Sequence, residues 1–153
     1  MLMITTPNGQ MTSRFSFGTM QWGLKADADE ARALYDACRA VGINHFDTAN
    51  MYCGGKSEEL LGKFASHERE DLLVATKVGY DGGAGRENLL VQFDKSRMRL
   101  AMDMVDILYL HRFDPETPIE ETLETFAMLH NDGKIRFFGL SNFAAWQVVH
   151  AIH

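Results

Sequence analysis

Val105-Asp106-Ile107-Leu108-Tyr109-Leu110-His111 is an apolar run broken by one aspartate and closed by a histidine. So continuous an apolar stretch fits a parallel strand covered on both faces, not a strand with one face in water. The same pattern recurs on either side of it. Residues 43–47 end on Asp47, residues 72–76 lead into Lys77, residues 135–140 lead into Ser141 and Asn142, and a shorter β-prone stretch, 14–17, stops at Gly18.

Helical patterns fill the intervals. In residues 27–41 the apolar positions Leu34, Ala37, Cys38 and Val41 fall at helical spacing, with Asp27 placed to cap the start and Gly42 the end. Ser57 is expected to cap a helix over 57–64, where Glu58 and Glu59 suit the positive end of the dipole. A further helix is predicted over 87–101. Thr117-Pro118-Ile119-Glu120 reads as a capping box with proline at the first helical position, opening a helix that carries Leu123, Phe126 and Leu129 and closes at Asp132-Gly133. Asn142 is expected to cap a last helix over 143–152. At the other end, Pro7-Asn8-Gly9 predicts a hairpin over 3–12 that plugs one end of the domain. The glycine-rich stretch 79–85 follows neither phosphate-binding fingerprint and reads as a flexible loop.

Five strands alternating with five helices imply right-handed crossovers and a parallel α/β sheet. A doubly wound dinucleotide fold calls for Gly-x-Gly-x-x-Gly after its first strand, and Phe17-Gly18-Thr19-Met20-Gln21-Trp22-Gly23 does not supply it. Polar residues at successive strand ends fit a TIM barrel, whose active site is built there. A complete (β/α)8 barrel takes roughly 250 residues. The reading is therefore an incomplete barrel, about five strand–helix units behind a hairpin, with residues 1–153 as the N-terminal portion of one domain and no second domain. Its unclosed edges are expected to promote self-association.

The composition, 46% hydrophobic and 24% charged over 153 residues, is that of a globular chain. A formal charge of -6 with scattered basic residues argues against nucleic acid and anionic membranes as partners, leaving a small molecule. The N-terminus has no signal-peptide pattern and no stretch is long enough to span a bilayer, so a cytoplasmic location is expected. Cys38 and Cys53 have neither disulfide-framework nor metal-ligand spacing and read as free thiols. The six histidines never pair at metal spacing, and no metal is assigned.

Asp47, Tyr52, Lys77 and His111 together form a proton-transfer set. Free tyrosine titrates near pH 10, and each tenfold gain in acidity requires ~1.4 kcal/mol of stabilisation of the phenolate. An ammonium at Lys77 can supply this, a carboxylate at Asp47 can hold the ammonium, and an imidazole at His111 can polarise a carbonyl. Each alone has a structural reading: a turn cap, a loop aromatic, a solvated lysine, a core histidine. Their joint appearance at the ends of three consecutive strands and one loop points to catalysis.

These residues lie in segments that resemble the aldo-keto reductases: Phe46-Asp47-Thr48-Ala49-Asn50-Met51-Tyr52, Gly55-Lys56-Ser57-Glu58-Glu59-Leu60-Leu61-Gly62, Ala75-Thr76-Lys77, residues 105–111, and Gly139-Leu140-Ser141-Asn142-Phe143. The resemblance covers nearly the whole chain. It implies a catalytic tetrad of Asp47, Tyr52, Lys77 and His111, with Tyr52 as proton donor in NADPH-dependent reduction of aldehydes and ketones. It also implies cofactor contacts from Gly18, Thr19, Met20, Asp47, Ser141 and Asn142. Trp22 and Phe113, on loops after the first and fourth strands, are candidates for the substrate pocket. Within the family the aflatoxin-aldehyde reductase branch is most similar. A non-catalytic, cofactor-binding module like the channel-associated β subunits is the alternative that the same resemblance implies.

Overall fold

The computed structural model describes residues 4–152. Among these, five strands, β1 Ser16–Gly18, β2 His45–Asp47, β3 Leu73–Val78, β4 Val105–Leu110 and β5 Ile135–Leu140, pair in parallel in chain order. Helices α1 Ala28–Ala40, α2 Lys56–Ala65, α3 Arg86–Leu100 and α4 Ile119–Asn131 make the crossovers, and α5 Ala145–Ile152 follows the last strand. An unreversed strand order is that of a barrel; a doubly wound sheet would reverse at its first crossover pair. The α/β architecture is thus part of a (β/α)8 barrel.

Register separates the two faces. His45 pairs with Leu73 and Asp47 with Ala75; Ala75 pairs with Ile107, Lys77 with Tyr109, Ile107 with Phe137 and Tyr109 with Gly139. Paired positions share a face and side chains alternate, so these residues line the concave side. Leu73, Ala75 and Ile107 form a buried cluster there with Tyr109 and Phe137. The opposite side carries Phe46, Val74 and Leu108 into the larger core, with Trp22, Tyr35, Phe64, Phe93 and Phe126.

Several local expectations shift for physical reasons. α1 is capped by Asp27 in a full capping box with Glu30, and Gly42 follows with φ +81°. Its buried stripe, however, is Ala31, Tyr35 and Cys38, whereas Leu34 and Val41 are exposed. The Tyr35 ring stacks on Phe46 at 4.9 Å, so the aromatic, not the aliphatics, sets which face turns inward. Ser57 does not cap α2: the helix starts one residue earlier, after Gly55, and the buried Ser57 hydroxyl joins Thr19 and Thr48 instead. The Thr117 hydroxyl donates to Asp114 at 2.7 Å, and Pro118 stands before the first turn of α4 without a side-chain cap. Asn142 has φ +57° and is not the cap of α5, which opens three residues later.

The helices approach closely at one point. A β-carbon at Gly62 of α2 would lie 2.3 Å from the Leu100 carbonyl oxygen of α3, so glycine is required for this packing. At the N-terminal end of the strands the hairpin forms as read, with Thr5 and Met11 bridged antiparallel and Gly9 in the turn; Met3, in its first arm, lies outside the described residues, as do Met1 and Leu2. Asp106, fully buried in β4, accepts from Arg69 at 2.8 Å, from Arg136 at 2.7 Å and from the Val74 amide at 2.8 Å. Arg136 also donates to the Thr5 carbonyl at 2.7 Å, and Asn44 to that of Met11 at 3.0 Å, which fixes the hairpin across this end. Among the described residues no helix is long and apolar enough to cross a membrane.

Candidate active site

The opposite, C-terminal end of the strands gathers the four residues singled out by sequence. Lys77 is buried at the end of β3, where its ammonium pairs with Asp47 at the end of β2. The same nitrogen donates to the Thr48 carbonyl at 2.8 Å and to the Tyr52 hydroxyl at 3.2 Å. All three donors of the ammonium are therefore committed, one of them to the phenol. Tyr52 reaches this point from the turn after β2, which the Asn50 amide ties to the Lys77 carbonyl at 3.0 Å. Three residues with positive φ follow it, Cys53 at 51°, Gly54 at 64° and Gly55 at 96°, and reverse the chain into α2.

His111 follows β4 and is buried, with its amide held by the Val78 carbonyl at 2.8 Å. Its ring meets the edges of two aromatics, Tyr52 at 5.7 Å and Tyr80 at 4.9 Å between centroids. Burial, with the Lys77 charge nearby, holds the imidazole below its ordinary value, so it is neutral at pH 7. Nδ1 is buried without a hydrogen-bond partner among the described residues. A neutral imidazole beside a phenol and an ammonium can share a hydrogen bond with an oxygen that gains charge.

The remaining sequence candidates divide. Asn142 donates through Nδ2 to the His111 carbonyl at 2.9 Å and to the Ser141 hydroxyl at 3.2 Å, which places both residues beside the tetrad. An amide oxygen and a hydroxyl are the acceptor and donor that a carboxamide needs, so this pair fits the nicotinamide end of a cofactor. Gly18 lies at the end of β1 with nothing within 4 Å of where a β-carbon would be, and Met20 is exposed. Thr19 is different. It is fully buried, its amide and hydroxyl bond the Asp47 carbonyl and its carbonyl accepts from Ser57 and Trp22, so it has no surface for a ligand and acts as a tether of β1 to β2.

Trp22 also leaves the expected set. It is 2% exposed and packs on Phe17 and Phe64 on the helix side of the sheet, so it belongs to the core and not to a substrate pocket. Phe113 does sit at the C-terminal end, edge-on to Phe143 at 5.5 Å and Trp146 at 6.0 Å. It lines a cleft of about 580 Å³ with Arg112, Asp114 and glycines of the 79–85 loop. That loop is pinned: Asn88 and Gln92 donate to the Asp81 carbonyl, the Gly79 amide donates to Gln92, and the Ala84 amide to Asp114. Sequence reading passed over two residues here. Tyr109 lies two before His111 on one strand and so shares its face, and Tyr80 lies just beyond the Lys77 strand end; the period of two and the strand-end position were the available signals.

The fold and the tetrad define a class, and comparison with known proteins agrees: residues 14–153 match the model of the aldo/keto reductase family, to which the chain belongs. It is 34% identical to the probable voltage-gated potassium channel subunit beta of Oryza sativa subsp. japonica, over 94% of this chain and 47% of that protein. It is 39% identical to aflatoxin B1 aldehyde reductase member 2 of Rattus norvegicus, over 86% of this chain and 37% of that protein. The holo form of an aldo-keto reductase from Bacillus halodurans superimposes with a TM-score of 0.85 at 30% identity, covering 98% of this chain and 53% of that one. The chain thus spans about half the length of its relatives or less.

Proposed function

We propose that residues 1–153 are the N-terminal portion of a single NADPH-dependent carbonyl-reducing barrel, with Tyr52 as proton donor. The observation that carries this is the Lys77 ammonium 3.2 Å from the Tyr52 hydroxyl and paired with Asp47. The bound cofactor supplies a hydride to the carbonyl carbon. The Tyr52 hydroxyl gives its proton to the carbonyl oxygen, and the charge then left on the phenol oxygen faces an ammonium already oriented by Asp47 and the Thr48 carbonyl. His111, neutral and dry, donates to the same oxygen and orients it. Ser141 and Asn142 would hold the nicotinamide carboxamide, Gly18 and Met20 would approach the ribose, and Phe113 would line the substrate side. NADPH over NADH is carried over from the family.

The test is NADPH-dependent reduction of a generic aromatic aldehyde. Tyr52→Phe should lower the rate by about 10²–10⁴-fold, the range for loss of a general acid, while leaving cofactor binding within a few-fold. Equal turnover by this variant would refute the assignment. The relatedness to channel β subunits favours one second reading, a cofactor-binding module. Tight NADPH binding with negligible turnover by a protein that carries the complete barrel selects it.

A further inference from the structure

Helices α2 and α3 carry an ion pair, with its carboxylate buried and its guanidinium partly exposed, that the proton-transfer chemistry does not use. Glu58 is fully buried; its Oε2 lies 3.3 Å from Nη1 of Arg99, and its Oε1 accepts from the Thr76 hydroxyl at 2.6 Å. Thr76 immediately precedes Lys77. The same Arg99 nitrogen donates to the Asn50 carbonyl at 2.9 Å, two residues before Tyr52. On the other side of Tyr52 the guanidinium lies flat on Gly55, where a β-carbon would meet its Cζ at 2.3 Å. Asn50 is clasped further, its side chain donating to the Gln92 carbonyl at 3.0 Å and the Ser96 hydroxyl at 3.1 Å, both on α3.

We infer that Glu58 and Arg99 are positioning residues that set the Tyr52 hydroxyl against the Lys77 ammonium. The inference rests on the catalytic reading of that pair. One end of the brace grips the Tyr52 turn before and after the phenol; the other grips the strand that bears the lysine. The turn itself has three successive positive-φ residues and no side-chain cap at the start of α2, and it is tied to the lysine strand by the Asn50 amide. An ion pair with one partner buried adds little net stability compared with apolar packing, but removing the arginine strands the buried carboxylate and is costly. A brace of this kind is therefore better suited to specifying geometry, and a misplacement of 1 Å at a reacting group can cost ~100-fold in rate.

The test needs no turnover, so its failure is distinct from failure of the catalytic assignment. In the native chain, nuclear Overhauser contacts between the Tyr52 ring and the Lys77 side chain should be strong, and the Arg99 guanidinium protons should be protected from exchange. Arg99→Met leaves Glu58 unpaired and is expected to unfold more readily, so the paired variant Glu58→Gln/Arg99→Met is the informative one. It should keep the sheet contacts between Lys77 and Tyr109 while losing the Tyr52–Lys77 contact, and Arg99→Lys should restore part of it. An undiminished Tyr52–Lys77 contact in the folded double variant overturns the inference. So does bulk-rate exchange of the Arg99 protons in the native chain, a result that stands even if every variant unfolds.

Discussion

At the scale of the residue, two histidines, His111 buried and His45 half-buried, make the chain sensitive to acid. His45 and His111 are both held below the ordinary imidazole value, chiefly by burial. Between pH 6.5 and their lower folded values the unfolded chain binds more protons than the native one, so the stability these histidines contribute above pH 6.5 is lost as pH falls. Imidazole ¹³C NMR should find both midpoints below 6.5. The melting temperature should fall from about pH 7.5 to about pH 5.5, and His45→Gln should reduce that fall. For His111 the same shift keeps the ring neutral where it is needed as a hydrogen-bond donor. Asp106 is the other residue with a disproportionate effect: Asp106→Asn leaves Arg69 and Arg136 facing each other over a neutral amide, and urea unfolding should show a loss of about 3–5 kcal/mol.

At the scale of the element, α1 and the α2–α3 contact illustrate what sequence makes legible. Asp27 with Glu30 three residues on is a local signal, and the helix starts where it says; Asp27→Ala should cost about 1 kcal/mol in the same assay. Gly62→Ala should cost more than any cap, because its methyl would meet the Leu100 backbone, which cannot rotate aside. Strands β4 and β5 match their sequence bounds, because each largely apolar run stops at a polar strand-end residue, His111 or Ser141. Where two local explanations competed, tertiary contacts decided. Ser57 and Asn142 stand where caps are common, yet Ser57 is taken by Thr19 and Thr48, and Asn142 by the His111 carbonyl. The tetrad was legible because strand-end polar residues stand out against apolar runs. A loop sequence does not show that Trp22 turns into the core or that Thr19 is committed to Asp47 and Ser57.

For the whole molecule, the uneven distribution of apolar surface matters most. Phe138 on β5 and Trp146, Val149 and Ile152 on α5 are exposed together at the β5 side of the sheet. The 153-residue chain should therefore self-associate through this side, and analytical ultracentrifugation should show Phe138→Lys/Val149→Lys shifting it toward monomer. A concentration-independent monomer for the native chain would rule this out. The two ends of the strands, meanwhile, are divided in their tasks: Asp106 and the hairpin secure one, and the tetrad occupies the other. A β-carbon at Gly9 in the hairpin turn would meet nothing within 4 Å, and the turn stands at the other end of the strands from Tyr52. It is thus a natural attachment point, where a fluorophore or surface linker can be grafted to report on or immobilise the protein while the chemistry at the far end proceeds untouched.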